Sequence, residues 1–589
     1  MITYEGITMA NKKTNRSQPN NFDISFINVV MDGDYGYEQE VPLGILSMAA
    51  FLRKEDIKVS IEQCFASKKE FEAWQPENNS DLYGIQLNMM NYDAVIKVSE
   101  IIKKHNLSAV IVLGGPFISI NAKEVLKNAP SIDCIALGEG EYTSLELCKA
   151  VADKKQNLNH IKGLVWREPS GKITKNKLRP QVDDLDTLPF PARDFLEDAK
   201  CDPRNYGLID SIRVISSKGC AGRCTFCCVN ALSKALKSKR WRGRSPIHVV
   251  DELEWLSTRY GARVFNFSDS SFEDPGVIGK KRSADICNQI IERKLKISAK
   301  IYMRCETMKS LEDIELLKLY KKAGIDVIIV GVESGSDYEL AFYEKHARVA
   351  DNFRMIKILQ NLDCFCVIAG FIMFGPNSTE ETLMSNIEFL RENKLAANML
   401  AVSNTMLLVR DSKLYNILNE EGRIIENYSF VTPPKYIFAD SIGEKMAKCW
   451  DKTIAKEPIT RKTNQVFINI ENLRARMTNP MNSEILNSFP KEFNLLSEFF
   501  FEMQHTLNIK HSDCFLHTLE LSKKNASQEE LTACHSSHFG NDYSQLYNKM
   551  QSFYDSFLKT VTDKGFGLSG LVFDHFLSAE SITKDKPRT

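Results

Sequence analysis

No stretch of this 589-residue chain approaches the roughly 20 consecutive apolar residues that a bilayer crossing requires. The longest apolar run, Cys364 to Phe374, is broken by Gly370 and reads as a buried strand. The first twenty residues, MITYEGITMANKKTNRSQPN, lack the continuous apolar core of a secretory signal and read as a loose tail. Charge bias is missing as well: 76 basic residues stand against 76 acidic ones, so neither a nucleic acid nor a membrane is expected as a partner. With no export signal, fifteen cysteines argue against a disulfide scaffold and for a reducing, cytoplasmic setting. Isolated thiols such as Cys64, Cys134, Cys148 and Cys287 lie in apolar surroundings and are expected to pack.

The length suggests several domains. After a disordered tail over 1–21, residues 22–155 alternate strand-like runs (FDISFINVV, KVSIEQ, DLYGIQLN, SAVIVLGG, IDCIAL) with helical ones, the pattern of a doubly wound, flavodoxin-like α/β domain. Gly114 and Gly115 follow one strand and Gly138 and Gly140 another, at the carboxyl edge where such sheets bind ligands; glycines also end strands in any sheet of this kind. Residues 156–205 read as a hairpin, GLVWREPSGKITKN, and a linker, LDTLPFPARDF. Residues 206–430 carry six further strand candidates, SIRVIS, ARVFNFS, ISAKIYMR, DVIIVGV, CVIAGFIMF and NMLAVSNTMLLV, which predict a partial (βα)6 barrel. Ser245, Pro246 and Gly261 bound one of its helices, and Ser378 with Glu381 suggests a capping box for another. Residues 431–589 are mostly α-helical in pattern, with a disordered end at SITKDKPRT, and either cap the barrel or receive substrate.

The segment SSKGCAGRCTFCCVN sets Cys220, Cys224 and Cys227 at Cys-x3-Cys-x2-Cys spacing directly after a predicted strand. One loop of this kind wraps a cuboidal 4Fe-4S cluster, and three ligands leave the fourth iron open to chelate the amino and carboxylate groups of S-adenosylmethionine (SAM). A structural zinc is the alternative, though zinc normally takes four ligands and the adjacent Cys227 and Cys228 are poorly spaced to supply two.

These residues resemble the radical SAM superfamily. The resemblance implies that Phe226 packs beside adenine, that Cys228 lies outside the motif and is buried, and that Asp269, Arg304 and Glu333, each following a barrel strand, contact the methionine or ribose part of SAM. Arg304 would fork onto a carboxylate, while Asp269 and Glu333 have helix capping as their plain alternative. Gly375 and Pro376 fall where the family narrows around adenine, or they form a simple turn. The sixth strand departs from the family: Leu408-Val409-Arg410-Asp411-Ser412-Lys413-Leu414-Tyr415 stands where a Pro-Gly-Thr turn is common.

From residue 22 to about 410 the chain is similar to cobalamin-binding radical SAM enzymes, through VPLGILSMAAFLRK, LGGPFISINAKEVL, DCIALGEGEYTSLELC, GLVWR, DDLDTLPFPARD and WRGRSPIHVVDELEWL in that order. The resemblance implies cobalamin near Gly114, Gly115, Gly138 and Gly140. No axial histidine comes from the usual loop, which here reads Asp32-Gly33-Asp34-Tyr35-Gly36; the first histidine of the chain is His105. The implied activity is that of a class B radical SAM methyltransferase, methylating an unactivated carbon of a small metabolite, natural-product intermediate or peptide, with an electron donor such as flavodoxin or ferredoxin. Cyclisation, rearrangement or oxidation with the same cofactors is the nearest alternative, and a non-catalytic cofactor sensor is a further one.

Overall fold

Runs such as ISFINVV and VIVL are apolar at nearly every position, as strands covered on both faces must be. The computed structural model describes residues 23–31, 41–66, 71, 73–88, 90–201, 212–425, 432–451 and 457–564. The first 21 residues, the Asp32 to Gly36 loop and the SITKDKPRT end therefore lie outside the described residues.

The first sheet has seven strands: β1 (Asp23–Val30), β2 (Lys58–Phe65), β3 (Leu82–Gln86), β4 (Val110–Gly114), β5 (Cys134–Ala136), β6 (Leu164–Arg167) and β7 (Ile173–Lys175), in the order β2-β1-β3-β4-β5-β6-β7. The first five pair in parallel, in the strand order of a flavodoxin-like sheet. Alternate residues feed two cores: Ile27, Ile85 and Leu113 pack into one, and Phe26, Leu82 and Val112 into the other. The hairpin read from sequence as part of a junction extends this sheet. β6 pairs antiparallel with β5 through Ile135 and Val165, and the buried Trp166 donates its indole N–H to Asn176 at 3.3 Å, which makes this segment core.

The second sheet is parallel, with β8 (Ile212–Val214), β11 (Val264–Phe267), β12 (Ser298–Arg304), β13 (Ile325–Glu333) and β14 (Cys366–Phe371) in the order β14-β13-β12-β11-β8; β9 (Ser217–Gly219) and β10 (Trp241–Gly243) form a separate hairpin. The half-barrel architecture is as expected, but the sixth strand is not formed. Asn398 accepts the Leu400 N–H at 3.0 Å and starts a helix, Met399–Ser403, whose exposed Leu400 among buried neighbours has helical rather than strand periodicity. One parallel bridge, between Phe374 and Thr405, remains.

The helix Pro458–Met477 packs against β13 and β14 and fills the half-barrel from below. Its Ala475 joins Val264, Val327 and Cys366 in a small internal cluster. Lys321 donates to the Ala475 carbonyl and to Asp326, both at 2.7 Å, and just beyond the helix Asn479 donates to Asp326 at 2.6 Å and to the carbonyls of Ile297 and Gly324 at 3.1 and 3.2 Å. The C-terminal segment therefore caps the barrel. Two long helices, Pro490–Lys523 and Gln528–Asp563, complete it, with His511 linking the Ala396 carbonyl at 2.6 Å to the Tyr543 hydroxyl at 3.0 Å. Among the described residues no helix is long and apolar enough to cross a membrane.

The Asn479→Ala variant leaves a buried carboxylate and two strand-end carbonyls short of a donor. A loss of about 1–3 kcal/mol is expected, read as an apparent melting temperature several degrees below that of the unaltered protein; an unchanged melting curve would show that the floor is closed without this side chain.

Candidate active site at the cysteine loop

Gly219 has φ +90°, and a Cβ there would run into the Arg240 carbonyl, so only glycine lets β9 and β10 approach this closely. The loop that leaves this hairpin is held by separate parts of the barrel. The Cys220 N–H donates to the Arg240 carbonyl at 2.8 Å, Ala221 N–H to Asp274 at 2.9 Å and Thr225 N–H to the Tyr343 carbonyl at 2.9 Å; the Thr225 carbonyl accepts Leu414 N–H at 2.9 Å. Asn230, in the helix Cys228–Leu236, donates to the Cys224 carbonyl at 3.1 Å. Cys220, Cys224 and Cys227 are half-buried. Cys228, expected to be buried, is exposed, because it begins that helix on its solvent side. Cys64, Cys134, Cys148 and Cys287 are buried, as their surroundings predict.

Arg304 closes β12 beside the loop, but its fork is taken within the protein: Nη1 donates to Asp274 at 3.0 Å, while Nε and Nη2 engage Glu306 at 2.7 and 2.6 Å. Burial works against its charge, yet Glu306 and Asp274 hold its pKa above the ordinary arginine value. Arg304 thus fixes Asp274, which fixes the loop. Glu333 ends β13 with φ +68° and meets the buried Lys345 at 3.5 Å; burial raises its pKa, and the ammonium opposes that rise. Asp269 is buried and saturated, accepting Ser216 N–H at 2.9 Å, the Ser216 hydroxyl at 2.7 Å and the Ser217 hydroxyl at 2.5 Å. Its carboxylate secures the chain between β8 and β9. Neither Asp269 nor Glu333 caps a helix, since Pro275 and Ser336 hold those positions.

Phe226 meets Tyr343 edge-on, with ring centroids 5.5 Å apart, in an apolar group with Ile372, Met406, Leu408 and Leu414. The departure from the family at 408–415 helps to close this group: Ser412 caps the helix Lys413–Glu420, and Leu414 is carried onto the cysteine loop. A side chain at Gly375 would collide with the Tyr343 hydroxyl. Gly375 N–H donates to Ser378 at 2.8 Å and the Pro376 carbonyl accepts Ala439 N–H at 2.8 Å, so the pair forms a turn against Tyr343. Ser378 serves that turn and donates to Glu339 at 3.2 Å; the capping box belongs instead to Thr379 and Thr382.

At the carboxyl edge of the first sheet, an added Cβ on Gly114 would meet nothing within 4 Å. Gly115 and Gly138 take φ of +126° and +75°, and Gly138 abuts Leu236 of the helix that follows the cysteines. Gly140 packs against the Met48 side chain. Between them Glu139 receives Arg242 at 2.6 and 3.2 Å, Lys218 at 3.2 Å and Val182 N–H at 2.9 Å. Burial opposes its ionisation, but the Arg242 hydrogen bonds, Lys218 and Val182 outweigh that and hold its pKa below the ordinary 4.5. Since Lys218 and Arg242 lie in β9 and β10, this carboxylate bolts the sheet edge to the root of the cysteine loop. Glu139, Asp274, Glu306 and Lys345 were missed from sequence; Glu139, inside GEGE beside two candidate glycines, carried the one usable signal.

These residues fit the implied cofactors. Among the described residues, Cys220, Cys224 and Cys227 do not all lie within 4.8 Å of one another, and three half-buried thiols on one loop suit a cluster in which each binds a different iron. The Tyr343 hydroxyl and Glu306 Oε2 are buried without hydrogen-bond partners close to that loop, as groups awaiting a polar ligand are. The unfilled space at Gly114 suits the close approach of a corrin.

The family model of the radical SAM superfamily matches residues 214–390 and that of the B12 binding domain matches residues 35–148. The chain thus combines a B12 binding domain with a radical SAM domain, the pairing found in cobalamin-binding radical SAM enzymes. It is 29% identical over 360 residues to an uncharacterized methyltransferase of Pyrococcus horikoshii, covering 60% of this chain and 73% of that one. It is 30% identical over 343 residues to an anaerobic magnesium-protoporphyrin IX monomethyl ester cyclase of Rubrivivax gelatinosus, where it spans 57% of this chain and only 58% of the cyclase. The solved cobalamin-dependent SAM radical enzyme OxsB, with aqua-cobalamin and SAM bound, shares the fold over 92% of this chain and 81% of its own, with TM-score 0.63 and 18% identity.

Glu139 gives a pH test. A carboxylate with a depressed folded pKa contributes fully above its unfolded value, and the contribution is lost as pH falls through the folded value. At about pH 7 the Glu139→Gln variant is expected to lose on the order of 2 kcal/mol of stability, and the gap from the unaltered protein should narrow below the ordinary 4.5 in thermal unfolding across pH. A gap constant through that range would mean that the carboxylate charge is not what joins the two parts.

Proposed function

We propose that this protein is a cobalamin-dependent radical SAM methyltransferase acting on an unactivated carbon of a small metabolite, natural-product intermediate or peptide. The observation that carries this reading is the Glu139 bolt, which brings the glycine-lined sheet edge and the cysteine loop to one place. When bound, the cluster with SAM supplies a carbon-centred radical and cobalamin a transferable methyl group.

Cys220, Cys224 and Cys227 would hold the cluster, on a loop kept in place by Asp274, Tyr343 and Leu414. Phe226, Tyr343, Gly375 and Pro376 would bound the adenine, with the Tyr343 hydroxyl free to bond it. Glu333 with Lys345 would meet the polar end of SAM, and Gly114, Gly115 and Gly138 would admit the corrin. The apolar group around Phe226, sealed by Leu408 and Leu414, would exclude the water that quenches or diverts reactive intermediates. An electron donor of flavodoxin or ferredoxin type and a cytoplasmic location belong to this reading.

Oxidative cyclisation with the same cofactors is the second reading, favoured by 30% and 31% identity to two magnesium-protoporphyrin cyclases. Anaerobic turnover of the reconstituted enzyme with SAM, cobalamin, reductant and a candidate substrate separates the two. Methyl transfer yields S-adenosylhomocysteine and 5'-deoxyadenosine in step, whereas 5'-deoxyadenosine without S-adenosylhomocysteine would exclude it. In either case Cys224→Ala is expected to cut 5'-deoxyadenosine at least about 100-fold, as loss of an essential chemical group does.

A further inference from the structure

The two long C-terminal helices, Pro490–Lys523 and Gln528–Asp563, face each other across a short turn and carry a ligand set that cofactor chemistry leaves unused. His517 stands on the first; Cys534 and His538, one helical turn apart, stand on the second. One ligand atom from each lies within 4.8 Å of the other two. The Cys534 sulfur is 3.8 Å from His538 Nδ1, and the rings of His517 and His538 are 5.2 Å apart. His538 Nδ1 also lies 2.9 Å from the Cys534 carbonyl, a hydrogen bond this nitrogen gives up if it is the one that ligates, and the His538 carbonyl accepts Lys510 Nζ from the facing helix at 3.1 Å, which holds the backbone there.

From this geometry we infer that His517, Cys534 and His538 bind one Zn2+ ion between the two helices, in an open site of three protein ligands whose fourth position is left to water. A thiolate and two imidazoles are a borderline-soft donor set that suits zinc and poorly suits magnesium or calcium. Zinc–sulfur and zinc–nitrogen bonds of about 2.3 and 2.0–2.1 Å around a tetrahedral ion put ligand atoms roughly 3.4–3.6 Å apart, so side-chain rotations of about an ångström close the set. The burial of Cys534 protects the thiolate, and the exposure of His517 opens the remaining position to solvent. Cys514, one turn before His517, is fully buried and lies outside the set.

The test is zinc content per chain in the anaerobically reconstituted enzyme after treatment with a chelating resin and one equivalent of zinc, with iron and sulfide measured on the same sample. One zinc in addition to the cluster iron is expected, with X-ray absorption at the zinc edge showing a single sulfur. Cys534→Ser is expected to abolish this zinc while leaving the iron unchanged. Exposed His517→Gln, which disturbs no core packing, should weaken retention against a competing chelator at least about tenfold, as losing a ligand or its support does. Zinc retained equally by the unaltered protein and both variants, or absent from all three, overturns the proposal; zinc with several sulfur neighbours would place it on the cluster cysteines and overturns it too.

Discussion

A half-buried carboxylate held between two cations keeps its place only while its partners stay in position, and Glu139 is such a group. It ends the connection after β5 and takes Arg242 and Lys218 from the hairpin that launches the cysteine loop. Removing either cation would leave the carboxylate short of a partner, so the relative placement of sheet edge and loop is specified by electrostatics as well as by packing. The contact between Gly138 and Leu236 adds an apolar stop beside it. This junction and the packing of the helix Pro116–Asn128 on Cys228–Leu236 together set how far the sheet edge stands from the cysteine loop.

Within the half-barrel the registers of β12, β13 and β14 put Arg304, Gly331 and Gly370 side by side. The absence of a side chain at Gly331 admits Glu333 and Lys345 over its α-carbon, and a Cβ at Gly370 would meet nothing closer than 3.6 Å. Lower down, Val327, Cys366 and Ala475 fill the interior. The barrel interior thus changes from apolar to charged along its axis, and the charged end is the one beside the cysteine loop.

The strands, the cysteine motif and the order of the two sheets were legible because each rests on local signals: apolar runs, glycine punctuation, fixed spacing. Errors arose where two local readings competed or where a partner lay far off in sequence. Asn398 outweighed the β-like apolar content of NMLAVSNTMLLV, and Thr379 displaced Ser378 as the cap because Ser378 had a turn to satisfy. Arg304 was rightly placed at a strand end, but its occupant, Glu306, is a near neighbour whose orientation only the fold reveals. Asp269 has the residue type of a ligand contact and the burial of a strand anchor. Glu139 and Arg242 lie 103 residues apart, and nothing local announces that they meet.

Closure of the barrel floor depends on partners that are late in the chain. Asn479 reaches back 182 residues to the Ile297 carbonyl, and the Ala475 carbonyl accepts from Lys321 across 154. During synthesis from the N-terminus, β8 to β14 are complete long before the helix that fills them leaves the ribosome. The nascent half-barrel must therefore wait with its apolar interior uncovered, which makes this interval the stage of its life most exposed to misassembly and to chaperone binding.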